Sequence, residues 1–233
     1  MYILHLSDIH YRRELGCRKK ADQGPLDGTN KKHGGVDRAA GPDGYQAMLS
    51  AMQNPLVFLD DCLDRVAGDW ERIGLVVITG DLTEDGTAED YRCLKHHIRK
   101  RIGDIPLVVT LGNHDNKRNF REGWLEEDAD SPCGLKEIGS APYNTIRRLE
   151  DTAVISFDTS VQGVPDGRMD DSQAAWLESV LKAEGKGPSI LVTHHHLLPE
   201  QGQIPPLPES RRLLSLLEHS GVSCILCGHT HHH

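Results

Sequence analysis

An α/β layered fold is predicted by short apolar runs that alternate with segments of helical periodicity. The runs are about five residues long, rich in β-branched side chains, and lie at residues 2–6, 75–79, 107–111, 153–157, 189–193 and 222–226. Most of them lack polar alternation, which is typical of strands covered on both faces. Helical spacing of apolar residues recurs between them, at residues 45–66, 88–102, 172–183 and 208–219. Strands that alternate with helices in this way favour a layered α/β architecture.

The helical segments carry their own start and break signals. Pro55 falls inside the first segment, so we expect a break or kink there. Thr87 precedes the second segment and is followed three residues later by Asp90, which resembles a capping box. Pro208 opens the last segment, where a proline is acceptable at the first helical position. Residues 11–43 and 117–145 lack a clear period, and we expect loops there, with one short helix in the second stretch.

Composition limits the classes of protein and partner. A chain of 233 residues is sufficient for one domain with a buried core. Its formal net charge of −9 argues against broad binding to nucleic acid or to an anionic membrane. The start lacks the features of a secretory signal, no run approaches ~18 apolar residues, and the six cysteines are scattered. We therefore expect a cytoplasmic protein with reduced thiols, and its oligomeric state stays open.

Residue types that bind metals follow five of the predicted strands directly. They are Asp8 and His10, Asp81, Asn113 to Asp115, His194 to His196, and His229 with His231. Ligands of open α/β sheets bind beyond the carboxyl ends of the strands, so we expect these residues to converge on one crevice. Carboxylate, amide and imidazole ligands together suit Mn, Fe, Zn, Co or Ni.

The spacing inside these motifs also has a chemical reason. In D-x-H and H-x-H, residues i and i+2 of an extended chain face the same side and can reach one ion. A glycine before Asp81, Asn113 and His229 permits a sharp turn. The sequence leaves open whether His195 and His196 contact metal, support the ligands or lie on the surface.

The ordered set D-x-H, G-D, G-N-H-D, H and G-H-x-H resembles the calcineurin-like metallophosphoesterase family. The resemblance implies a four-layer α/β/β/α sandwich over residues 1–233 and two divalent transition metal ions, Mn, Fe, Zn or a mixture. The implied ligands are Asp8, His10, Asp81 and His231 for one ion, and Asp81, Asn113, His194 and His229 for the other. It further implies that His114 protonates the leaving oxygen, that Asp115 orients the ring of His114, and that a metal-bound hydroxide attacks phosphorus.

Two further segments are similar to the branch of class III cyclic nucleotide phosphodiesterases and glycerophosphodiesterases. They are residues 83–91, after Gly80-Asp81, and residues 157–160. This similarity implies hydrolysis of a small phosphodiester. A phosphomonoesterase or nuclease of the same fold, and a non-catalytic scaffold, remain alternatives.

Basic residues near these motifs allow two interpretations. Residues 11–43 carry a local excess of positive charge, either as a lip that attracts phosphate or as a solvated loop. Lys117, Arg118 and Arg121 either contact the far side of a substrate or form a solvated face. Members of the family normally continue past G-H-x-H, whereas this chain ends at His233. The sequence therefore leaves open a truncated domain, an incomplete second sheet, and a tag origin for residues 231–233.

Overall fold

Two β-sheets form the centre of the computed structural model, which describes residues 2–13, 54–127 and 140–231. The first sheet has parallel strands in the order β1 (Tyr2–Leu6), β2 (Ile73–Thr79) and β3 (Leu107–Thr110). The second has the order β4 (Thr145–Leu149), β5 (Thr152–Ser156), β6 (Ser189–Val192) and β7 (Val222–Leu226). In it, β4 is antiparallel to β5, and the other pairs are parallel.

The α-helices of the described residues lie between the strands in sequence. They are α1 (Pro55–Arg65), α2 (Ala88–Ile102), α3 (Lys117–Gly123), α4 (Asp171–Glu184) and α5 (Ser210–Leu217). Short 3₁₀ turns occur at Ala67–Arg72 and Pro199–Gln201.

Three apolar layers hold these elements together. Alternate residues of β2 point in opposite directions, so Val76 and Ile78 pack beneath α1, α2 and α3, whereas Leu75 and Val77 face the second sheet. Ile190 is part of the layer between the sheets. A third layer joins the outer face of the second sheet to α4 and α5. The order helices, sheet, sheet, helices confirms the predicted four-layer α/β/β/α sandwich and explains why the strands lack polar alternation.

The sequence located most elements to within two residues. Helix α1 begins at Pro55, where a break was expected, and the upstream part of that segment, residues 45–53, lies outside the described residues. Thr87 caps α2 by accepting a hydrogen bond from the backbone N–H of Asp90, as expected. Helix α5 begins at Ser210, so Pro208 precedes the helix and does not open it.

Strand β4 was missed by the sequence analysis. It pairs with β5 on one side only, and Arg147 and Arg148 are exposed on it, so it lacks the apolar run that identified the other strands. A separate finding concerns membranes: across the described residues, none of the helices combines the length and the apolar character needed to span one.

Candidate metal centre

The residues that follow the strands adopt an uncommon backbone conformation. The φ angles are 53° at Asp8, 50° at His10, 46° at Asp81, 72° at His229 and 51° at His231. Positive φ is uncommon outside glycine and costs on the order of 1–3 kcal/mol, and such residues cluster at functional sites. The D-x-H and H-x-H motifs are therefore not extended, as their spacing suggested, although the side chains of each pair do lie in one cluster.

Backbone hydrogen bonds beyond the strand ends hold the loops side by side. The N–H of Asp8 donates to the carbonyl of Gly80 at 3.2 Å, and that of His10 donates to the carbonyl of Asp81 at 2.9 Å. In the second sheet, the N–H of Gly228 donates to the carbonyl of His194 at 2.9 Å. These bonds fix the strained turns relative to one another.

Two of the motif glycines are required for close approach. A Cβ atom at Gly112 would lie 2.1 Å from Oδ1 of Asp81, and one at Gly228 would lie 1.9 Å from Oγ of Ser7. Gly80 has a φ of +87°, a conformation that favours glycine, and makes the sharp turn expected before Asp81.

Three predicted ligands form what we call the open half of the site: Asp8, His10 and His231. Nε2 of His231 lies 3.3 Å from Oδ1 of Asp8 and 3.2 Å from Nε2 of His10. The carboxylate of Asp8 also accepts a hydrogen bond from the backbone N–H of His229 at 3.0 Å. The side chain of His231 is 56% exposed, so this half faces solvent.

The buried half comprises Asn113, His194 and His229. Nε2 of His194, which is fully buried, lies 3.3 Å from Oδ1 of Asn113. Nδ1 of the same ring donates to the carbonyl of Thr79 at 2.7 Å, so its Nε2 presents a lone pair to the site. The ring centroids of His194 and His229 are 4.9 Å apart.

Asp81 lies between the two halves. Its Oδ2 atom is 3.6 Å from Nε2 of His10 and 3.5 Å from Nε2 of His194. The structure thus brings all seven sequence-predicted ligands into one cluster. Carboxylate oxygens, an amide oxygen and imidazole nitrogens converge there, and such a set of ligand atoms fits divalent transition metals.

The two halves shift histidine pKa values in opposite directions. Burial lowers the pKa of His10, but the hydrogen bond to Glu84 and the charge of Asp81 raise it above its ordinary value overall. Burial and the charge of His194 lower the pKa of His229 to about 4. Burial raises the pKa of Asp8, but the hydrogen bond from His231 and the charge of His194 hold it well below its usual range.

Comparison with known proteins decides the family. The model of the calcineurin-like phosphoesterase family matches residues 1–233. The chain belongs to this family. The resemblance drawn from the motifs is thereby confirmed.

The curated relatives of this calcineurin-like phosphoesterase are named as phosphodiesterases. It is 32% identical to a probable cyclic nucleotide phosphodiesterase of Rhodococcus erythropolis, over 75% of this chain and 56% of the relative. It is 28% identical to a glycerophosphodiester phosphodiesterase of Enterobacter lignolyticus, over 99% of this chain and 71% of the relative. It is also 28% identical to a 3′,5′-cyclic adenosine monophosphate phosphodiesterase of Escherichia coli, over 72% and 58%. In most of these pairs the chain spans little more than half the length of the relative.

One solved structure supports the fold alone. It is that of an anchor protein in the inner membrane complex of Plasmodium, with a TM-score of 0.50, 14% identity, and coverage of 98% of this chain and 65% of the other.

A carboxylate that the sequence analysis did not assign links His10 to His114. Oε2 of Glu84 lies 2.6 Å from Nδ1 of His10 and 3.5 Å from Nδ1 of His114, and Oε1 accepts from Arg12 at 3.3 Å. Burial raises the pKa of Glu84, but the hydrogen bond from His10 and the neighbouring positive charges lower it to about 2. The available signal was its position, because Glu84 stands three residues after Asp81, within residues 83–91 that resemble the class III branch.

Asp115 has a different set of contacts from the one expected. Its fully buried carboxylate accepts hydrogen bonds from the backbone N–H groups of Leu82, Thr83 and Gly112, at 2.9 to 3.2 Å, and from the hydroxyl of Tyr91 at 2.9 Å. These bonds tie the loop after β2 to the loop after β3. The carboxylate beside the His114 ring is that of Glu84, so the geometry gives Asp115 a structural task. Burial and the charge of Asp81 raise its pKa to about 6.

His195 and His196 are buried behind the predicted ligands. Nδ1 of His195 lies 2.7 Å from Oγ1 of Thr159, and its ring centroid is 4.7 Å from that of His229. Burial and repulsion from His194 lower the pKa of His195 to about 2. Nε2 of His196 donates to a backbone carbonyl at 3.2 Å. His195 packs against His229, and its buried Nε2 atom has no hydrogen-bond partner among the described residues. One ligand atom from each of His194, His195 and His229 lies within 4.8 Å of the other two, so His195 is a further candidate ligand of the buried half.

The basic residues differ in their partners. Lys117 is 2.5 Å from the buried carboxylate of Asp158, and Arg121 pairs with Glu127 at 3.5 Å. These two cations are therefore neutralised within the fold. Of the proposed basic lip at residues 11–43, residues 14–43 lie outside the described residues.

Proposed function

We propose that this protein hydrolyses a small phosphodiester, such as a cyclic nucleotide or a glycerophosphodiester, with a pair of divalent transition metal ions. The observation that carries the proposal is the position of Asp81. Its Oδ2 atom lies 3.6 Å from Nε2 of His10 and 3.5 Å from Nε2 of His194. A carboxylate between two groups of ligands is suited to bridge the ions of a two-metal site, and such sites serve displacement at phosphorus. The phosphodiesterase names of the relatives support a diester substrate.

The residues that would hold the ions fall into two overlapping sets. They are Asp8, His10, Asp81 and His231 for one ion, and Asp81, Asn113, His194 and His229 for the other. Mn, Fe, Zn or a mixture fit these donors. When bound, such ions lower the pKa of water and neutralise charge on the phosphoryl oxygens.

His114 is the residue that we assign to the leaving group. Its backbone N–H donates to Oδ1 of Asp81 at 2.9 Å, which ties it to the centre, and its side chain is 37% exposed and can reach a bound substrate. Nδ1 faces Glu84, so Nε2 is available to donate a proton to the leaving oxygen. The carboxylate of Glu84 lies 3.5 Å from Nδ1 of this ring and can hold its orientation.

The test is hydrolysis of bis(p-nitrophenyl) phosphate, compared with p-nitrophenyl phosphate, after addition of Mn, Fe or Zn. We expect turnover of the diester in the wild-type chain and its loss in Asp81→Ala. Faster turnover of the monoester would favour a phosphomonoesterase. Absence of turnover with every metal, in a chain shown by circular dichroism to be folded, would favour a non-catalytic scaffold.

A further inference from the structure

A surface cavity of about 570 Å³ opens beside the candidate metal centre. Its wall comes from the loop after β3 with the start of α3, from the loop after β5 with the start of α4, and from Ser140 and Pro142. It includes Asn116, Arg118, Gln162, Arg168 and Asp170. The same two loops also reach the centre, because the N–H of Gly163 donates to the carbonyl of Asn113 at 2.7 Å.

The cavity lies within reach of a small substrate at the centre. Asn116 is three residues beyond Asn113, so at most ~11 Å of chain separates their Cα atoms. The side chain of Asn116 donates to that of Gln162 at 2.7 Å, which joins the two walls. A substrate whose phosphate lies against His114 can therefore extend one ester arm into the cavity.

Positive charge in this wall is only partly compensated. Lys117 is neutralised by Asp158, as described above. Arg118 and Arg168 are different, because neither guanidinium forms an ion pair or a hydrogen bond with any residue that the structure describes. Both guanidinium groups thus lack a hydrogen-bond acceptor among the described residues.

The carboxylates in and beside the wall already have partners. Asp158 contacts Lys117 and accepts from the hydroxyl of Ser160 at 2.6 Å. Asp170 caps helix α4 by accepting from the hydroxyl of Ser172 at 2.6 Å and from the N–H of Gln173 at 2.9 Å. The hydrogen bonds from Ser172 and Gln173 lower the pKa of Asp170, and the charge of Arg168 lowers it further at a distance, but neither arginine is hydrogen-bonded to a carboxylate of the described residues. The cavity therefore keeps cationic donors on a chain whose formal net charge is −9. Local positive charge of this kind attracts an anion.

We propose that this cavity binds a second anionic group, a carboxylate or a phosphate, carried on one ester arm of the substrate, with Arg118 and Arg168 as its donors. The proposal rests on the proposed function and specifies the class of diester. A guanidinium matches either anion with two parallel hydrogen bonds. Arg118 lies in the first turn of α3, and Arg168 lies on the loop after β5.

Three esters that differ only in the charge of one arm test this proposal: propyl, 3-carboxypropyl and 3-phosphonopropyl p-nitrophenyl phosphate. We expect the wild-type chain to show a lower KM for the two anionic esters than for the propyl ester. In the Arg118→Gln/Arg168→Gln variant, the KM ratio of propyl to anionic ester should fall roughly 2- to 30-fold, the size expected for two exposed charge-assisted contacts. The carboxylate and phosphonate arms identify which anion the cavity prefers.

The matched control is Arg72→Gln/Arg148→Gln, which removes the same charge. Arg72 immediately precedes β2 and Arg148 pairs with Ala153 near the start of β5, so both lie at the opposite end of the sheets from the site. The control should retain the wild-type KM ratio. An equal ratio in the wild type and the Arg118/Arg168 variant, or an equal loss in the control, overturns the proposal.

A binding experiment separates this proposal from the proposed function. If the wild-type chain hydrolyses none of the esters, the proposed function fails, and titration calorimetry with 3-phosphonopropyl phosphate still tests the cavity. We expect weaker binding to the Arg118→Gln/Arg168→Gln variant than to the control variant. Equal affinity for the two variants overturns the cavity assignment by itself.

Discussion

The buried and open halves of the centre use the same residue type in opposite ways. In the open half, the carboxylates of Glu84 and Asp81 outweigh burial and raise the pKa of His10. In the buried half, burial and neighbouring imidazoles lower the pKa of His229 to about 4 and that of His195 to about 2. The surroundings of His10, His229 and His195, rather than the motifs that contain them, therefore set the pKa values of these three rings. Asp81 is the residue common to both halves.

Asp81→Ala is expected to have the largest effect, because it removes a ligand from both halves at once. Loss of metal from the centre should lower hydrolysis by at least about 10³-fold. Elemental analysis after dialysis should give about one to two transition-metal equivalents per wild-type chain and far less in this variant. Asn113→Ala, which affects the buried half alone, is the comparison and should retain more metal. Equal metal content in wild type and Asp81→Ala would refute the bridging position.

His114→Ala is expected to separate chemistry from metal binding. Metal content should stay at the wild-type level, while kcat for alkoxide leaving groups falls by ~10²–10⁴, the usual size of a general-acid contribution. The loss should be smaller for p-nitrophenolate, which needs little protonation because its pKa is low. Equal losses for both leaving groups, with a change in KM, would indicate phosphate binding instead. Loss of metal in this variant would show that His114 contributes to metal binding.

Glu84→Gln should have a smaller effect, which is confined to the open half. The substitution keeps the size and a hydrogen-bond acceptor for His10 but removes the charge that faces His10 and His114. Loss of such a supporting contact typically costs ~10–100-fold in metal affinity or activity. Titration with Mn, with the rate of hydrolysis as the readout, measures both metal affinity and maximal activity. The control is Glu89→Gln, which removes the same charge on the exposed face of α2 and should leave metal affinity and activity unchanged.

The sequence predicted the fold and the convergence of the ligands because both depend on strand ends. Parallel strands end at one edge of a sheet, so motifs that directly follow them meet whatever the intervening loops do. The contacts of Glu84 could not be predicted in this way. They require the loops after β1 and β2 to pair, through the N–H of Tyr11 on the carbonyl of Leu82 and that of Glu84 on the carbonyl of Tyr11. The buried contacts of Asp115 with Leu82, Thr83 and Tyr91 are equally distant in sequence, so the motif that contains Asp115 does not predict them.

The pH dependence of stability should differ between the halves in the metal-free protein. As the pH falls from 6.5 towards about 4, the unfolded chain binds protons at His195 and His229 that the folded chain does not, so the free energy of unfolding decreases. As the pH rises above 6.5, the unfolded chain loses the proton of His10 that the folded chain keeps, so stability falls on that side as well. Thermal unfolding in EDTA across this range should give a Tm maximum near neutral pH.

Variants are needed to assign the two slopes, because Asp115 acts in the opposite sense to the buried histidines. Its pKa is raised to about 6, so the stability that it contributes is present below 3.8 and is lost as the pH rises through about 6. His195→Gln should flatten the acidic slope of Tm and leave the alkaline slope in place, whereas His10→Gln should flatten the alkaline slope alone. His219→Gln, at an exposed position, should leave both slopes as they are in the wild type. Opposite pKa shifts at His195 and His10 place their effects on different sides of pH 6.5. If both variants altered the same slope, the opposite electrostatic character of the two halves would be refuted.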